Sequence, residues 1–129
     1  MKVLMDLCIV PIGVGVSLST YIAACAKVLT EAGLKTSLHS YGTNIEGEWD
    51  DVFAAVKRCH EVVHGMGAPR ITTTIKLGTR TDRQQTMEDK VNSVKEKRIG
   101  AWSTCRDVRR QRYAHADRND TQIHEYFHK

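Results

Sequence analysis

An apolar run at the start of the chain constrains the fold more than any other segment. Residues 2–12 alternate like a β-strand, and both faces of that strand are apolar, with Asp6 as the exception. A strand of this kind has to be covered on both faces. We therefore expect it in the middle of a sheet, with Pro11 ending its hydrogen-bonded ladder because proline lacks an N–H group.

The periodicity then changes between helical and extended patterns along the chain. Apolar residues recur at helical spacing over residues 17–32 and 48–64, with Ser17 as a candidate N-cap and Gly33 as a helix stop. The other predicted elements are short strands over 34–40 and 43–46, a break at Gly47, a strand over 70–78 and a weaker helix after residue 82. This order predicts an α+β fold, the ferredoxin-like βαββαβ sandwich with an additional C-terminal helix.

The two helices of such a sandwich cover only one face of the sheet. Because the first strand is apolar on both faces, we expect a second subunit to cover the open face in a homo-oligomer. The alternative is that the third helix or the C-terminal tail folds back over that face.

Composition narrows the function classes. The chain has 129 residues, enough for one domain, and it has no run of about 18 apolar residues that could cross a membrane. Four cysteines are scattered without CxxC spacing, and we expect buried, reduced thiols at Cys25 and Cys59 and a cytoplasmic protein. The predicted strands carry essentially no aromatic residues on which bases could stack, so nucleic acid is not an expected partner.

The basic excess lies at the C-terminus. Residues 98–129 hold 7 Lys and Arg against 4 Asp and Glu, and their apolar periodicity is weak. We therefore predict a globular domain over residues 1–97 and a basic, poorly ordered extension over 98–129.

No motif for catalysis stands out. The glycines Gly13 and Gly15 follow a strand, but the third glycine of a dinucleotide fingerprint is missing. His60 and His64 have the i, i+4 spacing of a zinc pair without an evident third ligand. We therefore expect no enzymatic activity, no cofactor and no metal.

Glycines and polar groups gather at the predicted strand ends, as at the rim of a ligand site. Glu46 precedes Gly47 at such an end, where helix capping does not require a carboxylate. Arg80 leaves the last strand, and we expect the two side chains to meet. They would form either a structural ion pair or part of a binding site.

Several segments resemble the thiamine-binding protein family. They are PIG at 11–13, the helix start at Ser17, LHSYGTNIEGEWDDVF at 38–53 and IKLGTRTDRQQT at 75–86. The resemblance covers about residues 3–97. It is strongest to fungal members, which include a yeast protein linked to cell-wall biogenesis.

This resemblance implies a homotetramer built as a dimer of dimers, which binds thiamine or a related pyrimidine without catalysis. The implied ligand-binding positions are Pro11, Gly13, Ser17, Gly42, Thr43, Glu46, Gly47 and Arg80. A carboxylate such as Glu46 is a suitable acceptor for a protonated ring nitrogen or an amine. The alternative is a structural or regulatory oligomer whose pocket binds an anion such as sulfate or phosphate.

Overall fold

The structure, a computed structural model, describes residues 1–98. Its elements are β1 (Lys2–Ile12), α1 (Ser19–Glu31), β2 (Lys35–His39), β3 (Gly42–Glu48), α2 (Trp49–Gly65) and β4 (Arg70–Thr79). The strands form a four-stranded antiparallel sheet in the order β2-β3-β1-β4, so the predicted ferredoxin-like fold with β1 inside the sheet is confirmed.

The chain divides into two units, Met1–Met87 and Glu88–Lys129, of which the second is described as far as Arg98. The first unit holds the whole sheet, α1 and α2. Residues 87–98 are helical, which confirms the additional helix. The predicted domain boundary after residue 97 stays a prediction, and the predicted extension lies outside the described residues except for Arg98. No helix within residues 1–98 combines the length and the apolar character needed to cross a membrane.

The core lies between one face of the sheet and the two helices. Its largest fully buried side chains are Val3, Leu29, Ile45, Val52, Cys59 and Val63. On the other face of β1, Leu4 and Cys8 are half-buried, and Val10 and Ile12 are each 37% exposed. The covering of that face by a second subunit stays a prediction.

The start of α1 differs from the prediction. The N-cap residue is Leu18, which makes no capping bond with its side chain, and the helix begins at Ser19. The predicted N-cap role of Ser17 is therefore wrong; its hydroxyl lies 3.4 Å from the Ser19 hydroxyl. The end of α1 agrees with the prediction, since Gly33 has a φ of 72° just beyond the helix.

Pro11 does not end the β1 ladder, since β1 reaches Ile12 and Pro11 pairs with Ile71 of β4. Proline is tolerated there because the β1–β3 pairing stops at Leu7, so beyond that residue β1 has β4 as its one strand partner.

Gly47 does not break β3, which continues through it to Glu48. A side chain at this position would begin 2.7 Å from Leu34 Cδ2 and 3.1 Å from Val52 Cγ2. The glycine therefore serves close packing of the strand against its neighbours.

Candidate functional site

A cavity of about 280 Å³ lies between α1, the second half of β1 and the turn between β2 and β3. It is lined by Leu7, Cys8, Ile9, Val10, Leu18, Ile22, Cys25, Leu29, Leu38, His39, Ser40, Tyr41, Gly42 and Thr43. Most of these side chains are apolar, and the polar ones come from the β2–β3 turn. Gly42 and Thr43 are the members of the predicted site that line this cavity.

The cavity arises from a gap in strand pairing. β1 pairs with β3 as far as Leu7, opposite Thr43, and then continues to Ile12 beside β4 alone. The carbonyl oxygen of Leu7 faces β3, because it lies 2.6 Å from the position that a Cβ on Gly42 would take. Since backbone direction alternates along a strand, the peptide groups of Ile9 point to the same side, into the gap. The cavity therefore combines an apolar wall with strand-edge peptide groups.

A histidine–carboxylate contact fixes the β2–β3 turn on β1. His39 Nε2 lies 2.8 Å from Asp6 Oδ1, and the Tyr41 N–H donates to His39 Nδ1 over 3.3 Å. Because Nδ1 accepts, the proton of the neutral ring is on Nε2 and is donated to Asp6. His39 was not among the predicted site residues. The one signal for it was Asp6, a charged residue inside an apolar strand.

Gly42 makes this contact possible by having no side chain. A Cβ there would lie 3.1 Å from Asp6 Oδ1 and 3.3 Å from His39 Cε1, in addition to its clash with the Leu7 carbonyl. Gly42 is therefore required because the backbone of β1 approaches it too closely for any side chain.

Glu46 lies on the opposite face of the sheet from the cavity. It pairs with Leu4 of β1, whereas Thr43 pairs with the core residue Leu7, and directly paired residues share a face. Its carboxylate is buried, with 6% of the residue exposed. Oε1 lies 2.8 Å from Lys2 Nζ, and Oε2 accepts from the Met87 N–H over 3.1 Å.

The environment of Glu46 favours the charged carboxylate. Burial alone would raise its pKa, but the bonds from Lys2 and the Met87 N–H and the positive charges of Lys2 and Lys35 outweigh it, so the pKa is lowered. This carboxylate is thus a satisfied structural group in the described protein.

Arg80 lies beyond the end of β4 and is held by its own segment. Its Nη2 donates to Asp82 Oδ2 over 2.8 Å, and its Nη1 donates to Gln85 Oε1 over 2.9 Å. Among the contacts of the described residues, Glu46 and Arg80 form no ion pair with each other, so their expected meeting is wrong; each side chain has other partners.

The remaining predicted positions lie apart from the cavity lining. Gly13 has a φ of 85°, and a Cβ there would lie 3.2 Å from Pro69 Cγ. Ser17 is exposed, Pro11 is buried in β1, and Gly47 is part of the close packing described above. The structure thus distributes the eight predicted residues over both faces and the ends of the sheet.

The two helix histidines are engaged in structural bonds. His60 Nε2 lies 2.7 Å from Thr73 Oγ1, and His64 Nδ1 donates to the carbonyl of Ala68 over 2.8 Å. Within the described part of the chain, no group of three or more His, Cys, Asp or Glu side chains is placed to hold a metal ion.

Comparison with known sequences identifies relatives over most of the described domain. The family model described as "Thiamine-binding protein" matches residues 5–95. A UPF0045 protein of Synechocystis sp. is 68% identical over 94 residues, covering 73% of this chain and 78% of the relative. The UPF0045 protein ECM15 of Eremothecium gossypii is 46% identical over 95 residues, covering 73% and 90%. The predicted family, with a fungal protein among the relatives, is confirmed, and the Synechocystis relative has the higher identity of these two.

Solved structures share the fold. A hypothetical protein of Methanocaldococcus jannaschii matches with a TM-score of 0.69 and 30% identity, over 74% of this chain and 97% of that protein. A Thermotoga maritima protein, provisionally assigned to thiamine biosynthesis or salvage, matches with a TM-score of 0.64 and 21% identity. This second match covers 73% of this chain and 99% of the Thermotoga protein, and it supports the fold alone.

Proposed function

Because this chain belongs to the thiamine-binding protein family, we propose that it is a non-enzymatic protein that binds thiamine or a related pyrimidine. The observation that carries the proposal is the cavity beside Gly42 and Thr43. Small-molecule sites are typically concave and mostly apolar, with a few convergent polar groups, and this cavity has that composition.

The size and lining of the cavity favour a compact ligand. Its volume of about 280 Å³ is close to the lower end of the range for ligand pockets, about 300 Å³. The Thr43 hydroxyl and the peptide groups of Ile9 provide donors and acceptors for an aminopyrimidine ring. Glu46 is on the other face of the sheet. The Thr43 hydroxyl and the Ile9 peptide groups would therefore replace its carboxylate as hydrogen-bonding partners of the pyrimidine.

The cavity lining disfavours an anion as the ligand. No Lys or Arg is among the residues that surround it, and Arg80 is engaged by Asp82 and Gln85. This cavity therefore does not favour the alternative of an oligomer whose pocket binds sulfate or phosphate.

We also propose a cytoplasmic homotetramer, a dimer of dimers. Val10 and Ile12 are each 37% exposed on the sheet face opposite α1 and α2. Burial of these side chains against another subunit would remove apolar surface from water. Light scattering and sedimentation of the full chain measure the assembly directly.

Calorimetric titration tests the ligand. We expect thiamine and its isolated aminopyrimidine to bind, and thiamine diphosphate to bind more weakly because its phosphates meet no cation in the lining. Absence of heat from thiamine and the pyrimidine at millimolar concentration would contradict the proposal.

A pair of tryptophan variants tests the location. Ile22→Trp fills the cavity from α1, whereas Ala23→Trp places the same side chain at an exposed position of that helix. We expect the first variant to lose binding and the second to keep it. Equal effects of the two variants would show that the ligand binds elsewhere.

A further inference from the structure

An aromatic side chain stands at the mouth of the cavity. Tyr41 belongs to the lining and is 86% exposed, and Leu38 of the same lining is 65% exposed. The cavity therefore opens to solvent at the β2–β3 turn. Within residues 1–98, no other aromatic ring lies against Tyr41, whereas the less exposed Trp49 packs on Phe53 with ring centroids 4.8 Å apart.

The backbone of Tyr41 is fixed although its side chain is exposed. The Tyr41 N–H donates to His39 Nδ1 over 3.3 Å, and His39 Nε2 lies 2.8 Å from Asp6 Oδ1 on β1. These bonds hold the main chain of Tyr41 beside the cavity. Tyrosine has only two side-chain torsions to order, and exposed side chains change rotamer within nanoseconds. The ring can therefore move over the mouth while the turn stays in place.

We propose that Tyr41 is a specificity-determining residue, whose ring stacks on a planar aromatic ligand in the cavity. His39 supplies the other ring of the lining, but both of its nitrogens are engaged, by Asp6 and by the Tyr41 N–H. Apolar walls attract a saturated ring at least as well as an aromatic one, because the effect follows buried area. An aromatic face adds an attraction for a second aromatic ring beyond that effect. Tyr41 thus makes the cavity prefer a flat ring.

The same side chain suits a positively charged ligand. The residues that line the cavity include no Asp or Glu, so a cation finds no carboxylate partner among them. The face of an aromatic ring attracts a cation that lies within about 6 Å of its centroid. This inference rests on the proposed function of the cavity as a small-molecule site. It narrows the ligand to planar aromatic rings, neutral or cationic, a class that includes both rings of thiamine.

Benzyl alcohol and cyclohexylmethanol test the preference on the full chain, because they are similar in size and differ in whether the ring is aromatic. Ligand-observed NMR titration measures both dissociation constants. We expect Tyr41→Leu, which keeps apolar bulk, to shift their ratio by about threefold to tenfold toward the saturated compound. Tyr41→Phe keeps the ring and should keep the wild-type ratio. A purely structural role would change the affinity for both compounds together and leave the ratio as it was.

Two further variants locate the bound ring. Ile22→Trp fills the cavity from α1 and should abolish binding of both compounds. Ala23→Trp, at an exposed position of the same helix, should leave both affinities unchanged.

Four results would overturn the proposal: no binding of either compound to the wild type, an unchanged ratio in Tyr41→Leu, the same shift in Tyr41→Phe, or binding that persists in Ile22→Trp. A ratio that depends on the Tyr41 ring, without any heat from thiamine or its pyrimidine, would reject the proposed ligand and retain this inference. Heat from thiamine, with a ratio that is the same in the wild type and Tyr41→Leu, would do the reverse.

Discussion

Thr43 and Glu46 lie three positions apart on β3 and therefore belong to opposite faces of the sheet. Thr43 lines an apolar cavity at the place where β1 loses its pairing with β3. Glu46 is buried on the other face, where Lys2 and the Met87 N–H satisfy its carboxylate. A buried polar group with its partners in place contributes to stability, whereas a cavity with unfilled space is suited to a ligand. The difference separates a structural face from a binding face.

The largest expected effect comes from Gly42→Ala, at the turn that bounds the cavity. The new Cβ would lie 2.6 Å from the Leu7 carbonyl oxygen, a backbone atom, and would press on the His39–Asp6 contact. We expect the free energy of unfolding to fall by about 2–3 kcal/mol, as for other overpacked sites. Urea denaturation measures this change.

Gly78→Ala is the matched control for that substitution. Gly78 is also in a strand, and nothing lies within 4 Å of the position that its Cβ would take. Equal losses in the two variants would show that general strand effects, and not close approach at Gly42, determine the result.

The second largest effect on the free energy of unfolding is expected at Glu46, on the sheet face opposite the cavity. Glu46→Gln removes the charge that Lys2 pairs with and weakens the acceptor for the Met87 N–H. We expect a loss of about 1–2 kcal/mol in the free energy of unfolding, with ligand affinity unchanged. Glu48→Gln, at an exposed position of the same strand, should cost much less. Loss of ligand binding in Glu46→Gln would reverse the assignment of the two faces.

The pH dependence of stability follows from the same carboxylate. Because the folded pKa of Glu46 is below its ordinary value of 4.5, its stabilisation is complete above that pH and is lost as pH falls through the folded pKa. Unfolding of the wild type and Glu46→Gln, compared from neutral to acidic pH, should show a shrinking difference. A difference that grows on acidification would mean that burial dominates and the pKa is raised.

The smallest expected effect is on affinity at the cavity. Thr43→Val keeps the shape and removes the hydroxyl, so we expect binding to weaken by about fivefold, the cost of one hydrogen bond. Thr74→Val on β4, where the side chain is exposed, should leave affinity unchanged. Calorimetry that finds the same affinity in both variants would remove Thr43 from the site.

Most of the fold was predictable from periodicity. The apolar pattern of residues 2–12 placed β1 inside the sheet, and helical spacing over residues 48–64 predicted an apolar face of α2, on which Val52, Cys59 and Val63 are fully buried. Each of these predictions depends on which side of one element a residue faces, and local spacing determines that directly.

The site was predictable only in part. Gly42 and Thr43 line the cavity, but Glu46 and Arg80 do not meet, because strand order alone does not specify which side chains are adjacent at strand ends. His39 and the wall provided by α1 were missed as site residues. Their position depends on how far the β2–β3 turn reaches along β1, which no local pattern records.

The sequence by itself determined the elements, their order and the buried faces of the helices, since these follow from apolar spacing along single segments. The tertiary structure alone decided the register of β1 against β3, and with it the cavity. A strand that is apolar on both faces specifies its register weakly, because a shift by one residue still buries apolar side chains. Pairing that ends at Leu7, with α1 packed across the gap, therefore decides where this protein has room for a ligand.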